Sequence, residues 1–353
     1  MKRALLFLLG FLIASIIIFL LIPSPIEPVA WTPPKAPELA GKYAVNDKLA
    51  NVEILFKGQC EKCEDVAIDS MGRIYGGQLN GDIVVFDKTG NRKVLANTKG
   101  RPLGLHFDKQ KNLIVADAVS GLLSIDTNTG KVNTLVNEYE GKKMIFVDDV
   151  DIAEDGTMYF SDASTKYGFY DNSLDILEGA GNGRLFAYYP ATKETKLLLD
   201  DLRFANGIAV AHDQSYVLVN ETGRFRTHRY WLQGPKKGQS DLFIENLPGF
   251  PDGISQGQDG LFWIALVSPR LQSFDDLSQS TFMKNIVAKL PASFQPAPVH
   301  YGLVLGVDEN GTVKYNLQDP KGGFSEITSV QQFGQDIYLG SLYENSLAKY
   351  RLN

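Results

Sequence analysis

Phe146-Val147-Asp148-Asp149-Val150-Asp151-Ile152-Ala153-Glu154-Asp155-Gly156-Thr157-Met158-Tyr159-Phe160 carries the phrase that decides the fold. Val150-Asp151-Ile152 is a short alternating run, and Asp155-Gly156 supplies the residue with positive φ that a tight hairpin needs. Thr157-Met158-Tyr159-Phe160 is a second run of side chains that favour strands. The apolar residues show none of the 3.6-residue spacing of a helix.

Five further copies extend the pattern in both directions. Before it stand Val66-Ala67-Ile68-Asp69 with Arg73-Ile74-Tyr75, and Gly104-Leu105-His106-Phe107-Asp108 with Asn112-Leu113-Ile114-Val115. After it come Gly207-Ile208-Ala209-Val210 with Tyr216-Val217-Leu218-Val219, Gly253-Ile254-Ser255 with Leu261-Phe262-Trp263-Ile264, and Thr328-Ser329-Val330 with Asp336-Ile337-Tyr338-Leu339. A repeat of roughly 40 to 60 residues fits a four-stranded blade. One blade cannot bury both its faces, so six blades stack around an axis and their first strands line a channel. The expected fold is therefore all-β, a six-bladed β-propeller over residues 45–353. The widest gap, Ser268 to Tyr301, is expected to hold a lid or helix-bearing insertion over one mouth.

The N-terminus differs in kind. After Met1-Lys2-Arg3, the run from Ala4 to Ile22 is uncharged and carries only Ser15 as a clearly polar side chain. At 1.5 Å per residue it spans about 28 Å, the thickness of the hydrocarbon core. It ends in Ile22-Pro23-Ser24-Pro25 without a small-x-small cleavage site, so residues 1–22 are expected to be an uncleaved N-terminal transmembrane helix rather than a signal peptide. Lys2 and Arg3 should stay cytoplasmic, which places the propeller across the membrane, in a periplasmic or lumenal space. Residues 23–44 contain Pro23, Pro25, Pro28, Pro33, Pro34 and Pro37 and are expected to form an extended stalk. With a formal charge of −6, the chain has no basic field for a nucleic acid partner.

Short loops lead into the first strands and converge on the axis at one mouth of a propeller. In four of them polar residues stand directly before the strand: Glu64-Asp65, Asp148-Asp149, Asn206-Gly207 and Asp252-Gly253. Alone, each reads as a turn or cap residue. Converging, like charges repel unless a cation neutralises them. Oxygen donors suit Ca2+, or another hard divalent cation, better than zinc.

Phe146-Val147-Asp148-Asp149-Val150, Asn182-Gly183-Arg184-Leu185, Leu202-Arg203-Phe204-Ala205-Asn206-Gly207, Glu245-Asn246-Leu247-Pro248-Gly249-Phe250-Pro251-Asp252 and Tyr338-Leu339-Gly340-Ser341 resemble the strictosidine synthase-like and gluconolactonase propellers. The wider group includes paraoxonases, in which a channel metal polarises a substrate carbonyl. The resemblance implies Glu64, Asp148, Asn206 and Asp252 as metal ligands. It also implies Asp65 and Asp149 as ligands of a second, structural metal, although caps and turn hydrogen bonds account for them equally well. Asp148 stands where relatives usually have Asn, and Gly253 where several have Asn. The histidine pair proposed as base in paraoxonases has no counterpart, because Leu103 and Ala118 fall near its positions.

These residues lead to an expected metal-dependent hydrolase of small esters or lactones, with Asp252 or Glu64 as the base that activates water and Asp148 as a weaker candidate. No Gly-x-Ser-x-Gly nucleophile motif occurs with partners. His106 reads as a core or surface residue of a strand. Cys60 and Cys63 are too few for a zinc site and are expected to pair across the membrane. Tyr159, Tyr188, Trp231, Phe250 and Trp263 are candidates for an apolar pocket, with inter-blade packing expected for most. Two other readings stand beside the hydrolase. One is a non-catalytic ligand-binding propeller. The other is an amine-aldehyde condensing enzyme, which needs a glutamate on the last blade's inner strand, where Glu326 is the nearest carboxylate.

Overall fold

The computed structural model describes residues 2–352, so Met1 and Asn353, the outer ends of the expected anchor and propeller, lie outside it. Six four-stranded antiparallel sheets form the six blades. Their inner strands are Val66–Ile68, Pro102–Phe107, Val147–Ile152, Ala205–Val210, Gly249–Gln256 and Ile327–Phe333, matching the six copies read from the sequence. The sixth blade borrows its outermost strand, Glu53–Leu55, from the start of the domain. Glu53 pairs with Lys349 and Leu55 with Leu347, and Lys349 Nζ lies 2.6 Å from Glu53 Oε2. This pairing closes the ring and removes an open sheet edge.

Apolar faces of neighbouring blades supply the core. Tyr159, Leu185 and Ala187 of the third blade pack with Ile208, Val217 and Val219 of the fourth, all buried. Trp263 is fully buried between the fifth and sixth blades. Tyr159, Tyr188 and Trp263 are therefore packing residues, as expected. Hairpins close on aspartate-capped turns: at Asp69, between first and second strands, and at Asp308, between third and fourth, the carboxylate accepts backbone N–H groups two and four residues ahead.

The face where the inner strands begin is the mouth, and two insertions stand on it. The one expected between Ser268 and Tyr301 carries α3 (Gln272–Ser278) and α4 (Thr281–Ala288). A second lies in the third blade and carries α2 (Asn172–Glu178), which ends on Gly179 at φ 69°.

α1 (Lys2–Leu21) is a single apolar helix, and its span Arg3–Leu21 has a mean hydropathy of 3.1 with none of it buried. The segment after it is extended, as its prolines require, but it is a strap laid on the domain rather than a free stalk. Ile26 is buried against Tyr167, Leu177 and Ala288. Val29 N donates to Glu178 O at 2.9 Å and Trp31 N to Ser278 O at 2.9 Å. Proline leaves carbonyls free, and here the carbonyl of Val29 accepts from Lys284 Nζ at 2.7 Å. Packing on the propeller thus begins well before residue 45.

Candidate metal centre

The inner strands enter the channel on β-bulges. Pairing with the second strand shifts between Val147 and Val150, between Ala205 and Ile208, and between Pro251 and Ile254. Asp148, Asn206 and Asp252 sit in these shifts. They were expected in loops ahead of the strands; the structure places them within the strands, on bulges that re-aim a side chain toward the axis. A glycine follows two of them for a steric reason. A Cβ on Gly207 would stand 2.3 Å from Ile254 N, and one on Gly253 would stand 2.4 Å from Thr328 O. Adjacent inner strands come so close here that any side chain would force them apart, which accounts for Gly253.

Glu64, Asp148, Asn206 and Asp252 are all buried and share one wall. On one side lies a polar channel of about 80 Å³ and on the other an apolar cavity of about 160 Å³ beneath the mouth insertions. All four residues line both spaces. The four residues expected to converge thus line the same two spaces. Phe250, alone of the five aromatics considered, lines the mouth cavity, together with Phe146, Phe169, Phe204 and Phe274.

Electrostatics bear the mark of crowding. Burial pushes the Glu64 carboxyl up to about 7, against the opposing pull of Arg101. Burial also raises Asp148 well above the usual carboxylate range, and the charges of Glu64, Asp252 and Asp149 push it further. Asp252 is raised by burial and by Glu64 and Asp149, while hydrogen bonds from the Asn206 amide and the Gly253 N–H pull it down. The carboxylates of the wall thus raise one another's proton affinity, as like charges held near each other do.

Arg101 was not foreseen in the sequence. Its guanidinium is 1% exposed and donates to Glu64 Oε2 at 3.1 Å and to Lys62 O at 2.9 Å. It fixes the orientation of Glu64 and offsets one negative charge of the set.

Asp65 and Asp149 lie on the channel side. Asp65 accepts the N–H of Val66 at 2.7 Å and, from the next blade, that of Leu105 at 2.8 Å. Asp149 does the same with Val150 at 2.8 Å and Ile208 at 2.7 Å. Asp151 repeats the device with Ile152 and Val210, both at 2.7 Å. These bonds make the tie between blades that was expected of a second metal. His106 also faces the channel rather than the core or the outer surface, with Nδ1 3.1 Å from Asp151 Oδ1. Glu326 lines neither space and stands 3.4 Å from His300 Nδ1.

Among the described residues no group of three or more His, Cys, Asp or Glu side chains stands ready as a ligand set. The donor chemistry nonetheless fits a hard divalent cation. Three buried carboxylates and an amide oxygen meet in one wall, with a single buried arginine against them. Just outside, Cys60 and Cys63 form a buried disulfide with an S–S distance of 2.00 Å. A Cβ on Gly76 would stand 2.9 Å from the Cys60 sulfur, so glycine there makes room for the bridge.

Comparison with known proteins agrees with this architecture. The family model described as strictosidine synthase matches residues 148–235, and that described as strictosidine synthase-like, N-terminal, matches residues 41–86. Adipocyte plasma membrane-associated protein of Rattus norvegicus is 33% identical, covering 91% of this chain and 92% of its own. Strictosidine synthase-like protein 6 of Arabidopsis thaliana is 34% identical, covering 87% and 84%. Among solved structures, a gluconolactonase of Xanthomonas campestris has a TM-score of 0.64 at 17% identity, covering 94% of this chain and 99% of its own. The calcium-binding protein regucalcin of Agrobacterium tumefaciens has a TM-score of 0.61 at 14% identity, covering 84% and 92%. The two structures share the fold, and the two sequence relatives carry the relationship further: the chain belongs to the strictosidine synthase-like family.

Proposed function

We propose that this propeller is a membrane-anchored hydrolase of small esters or lactones that works with a divalent cation, calcium fitting the donors best. The observation that carries the reading is the shared wall, in which Glu64, Asp148, Asn206 and Asp252 meet at the floor of an apolar cavity. The names of the structural neighbours, a gluconolactonase and a calcium-binding regucalcin, support it by analogy of fold.

Glu64, Asp148, Asn206 and Asp252 would hold the ion through oxygen. When bound, such a cation supplies polarisation of an ester carbonyl and stabilisation of the developing oxyanion. The chain's own groups do the rest. Phenylalanines of the mouth cavity exclude water and receive the apolar part of the substrate. Glu64, with one oxygen off the ion, is placed to take a proton from water. Arg101 holds Oε2, so the proton goes to Oε1. Asp252, on the same wall, is the alternative base. Glu326 lines neither space, which does not support its service as the glutamate of a condensing enzyme.

A panel of aryl esters and lactones, assayed on metal-free protein with and without added calcium, tests the reading. Turnover that appears with the metal is the expected result. Calcium binding without turnover of any member would leave a ligand-binding propeller.

The same reading makes α1 an uncleaved span with the propeller outside the cytoplasm. The Cys60–Cys63 bridge supports that side, since disulfides persist in oxidising compartments. Alkaline carbonate should leave the chain in the membrane pellet, whereas a soluble mature chain starting after residue 22 would identify a cleaved signal.

A further inference from the structure

The large apolar side chains left exposed in loops and insertions are concentrated on the mouth. Tyr170, Phe282, Met283, Phe294 and Tyr343 are 79%, 61%, 46%, 72% and 51% exposed, and all lie in connections between second and third strands, which emerge there. The opposite face carries Met71, in a first-to-second strand turn, and Phe333, at the end of an inner strand. Residues of the mouth insertions also line the apolar cavity, among them Ile176, Leu271 and Phe274.

The strap fixes how far this rim can stand from α1. From Leu21, where α1 ends, to Ile26, buried against α2 and α4, the chain can reach at most about 18 Å. The contact is in fact direct, for Lys289 Nζ donates to Leu20 O at 3.2 Å at the C-terminal end of α4. An eight-residue helix is about 12 Å long, so Phe282 and Met283 at its other end stay within that length plus the reach of the Lys289 side chain from the end of α1. Lys284 and Ala288 of the same helix are buried, toward the strap and α2, which leaves Phe282 and Met283 on its free side.

We infer that the rim built from α4, the turn at Phe294 and the loop at Tyr170 is a lipid-docking surface. It rests on the bilayer that α1 spans and holds the cavity mouth at the headgroup layer. Aromatic and long apolar side chains at that depth are the usual interfacial anchors. A spacer of a few residues that is pinned to the domain leaves the rim no room to stand off in water. The inference rests on the reading of α1 as a membrane span, and not on the hydrolase reading.

The disulfide occupies both cysteines, so Met283→Cys and Met71→Cys each introduce a single free thiol in the full chain. Each variant is labelled with an environment-sensitive fluorophore and reconstituted in phosphatidylcholine vesicles. Quenching is then compared between a lipid-borne nitroxide and a water-soluble one. The label at 283 should be quenched several-fold more by the lipid-borne probe than the label at 71, with the order reversed for the soluble probe. Adding Phe282→Asp and Phe294→Asp should bring position 283 to the level of 71 while the chain still floats with vesicles. Equal quenching at both positions in floating protein would overturn the docking surface and leave the anchor intact. A label at 283 shielded from both probes would mean that protein, such as a second copy, covers the rim, and would overturn it too. A chain that does not float would remove the anchor, and the docking with it.

Discussion

Asp252→Ala should reduce hydrolysis of the best ester or lactone by at least about a hundredfold, the usual scale for losing one electrophilic contact at a developing oxyanion. Asn206→Ala should do the same, because the Asn206 amide both contributes a donor oxygen to the wall and hydrogen-bonds the Asp252 carboxyl. The two losses should not multiply in the double variant, since the residues act on one ion. Stability separates this from simple damage. In metal-free protein the Asp252 carboxyl is raised by burial and by the charges of Glu64 and Asp149, so removing it relieves desolvation and repulsion. Metal-free Asp252→Ala should melt no lower than the parent, while its stabilisation by calcium disappears. Asp65→Ala should behave oppositely. It strands the N–H groups of Val66 and Leu105, at about 1–3 kcal/mol for each left unsatisfied, so thermal stability falls first and turnover at low temperature persists. Kinetics and melting of the three variants check this together. Loss of activity in parallel with loss of melting temperature in Asp252→Ala would remove the residue from the chemistry.

How much of this was readable in the sequence follows from what repeats. Each inner strand begins the same phrase, so all six were legible, and so were Glu64, Asp148, Asn206 and Asp252 at their starts. The closing strand Glu53–Leu55 was not, for it is three residues long and its partner Leu347–Arg351 lies at the other end of the chain. The insertion after Ser268 announced itself as a gap, whereas α2 is only seven residues long and hides in a Gly- and Asn-rich stretch. His106 was misplaced because alternation assigns faces only where register is continuous, and the second blade shifts register between Pro102 and Leu105. Arg101 was missed for a different reason. A lone arginine reads as surface, and only its burial beside Glu64 reveals that it orients a carboxylate. Bulges are tertiary devices of the channel, so the residue types at the site were visible but the way they are aimed was not.

Calcium at a fixed concentration, about a hundredfold over its Kd at pH 7.5, should raise the melting temperature of metal-free protein by about 4 °C there, and the gain should widen as pH rises from about 5 to 7.5. The sign follows from the raised carboxyls. Burial holds Glu64 at about 7, and Asp148 and Asp252 likewise above the values they take in an unfolded chain. Between an ordinary carboxylate pKa near 4 and those raised values, the folded metal-free protein keeps protons that the unfolded chain has released. Its stability therefore falls as pH climbs through that window. A bound cation replaces those protons, so it competes poorly near pH 5 and meets no competition above pH 7. The metal-free melting temperature should decline across the window while the calcium-loaded one stays nearly level, and scanning calorimetry of dialysed protein at several pH values measures both. Asp148 makes the test sharper. Its carboxyl is raised by burial and then by Glu64, Asp252 and Asp149, so Asp148→Asn removes a repelling charge but keeps a donor oxygen. That variant should show a shallower metal-free decline and a smaller calcium gain at pH 7.5. A calcium gain independent of pH in both proteins would place the ion somewhere other than this wall.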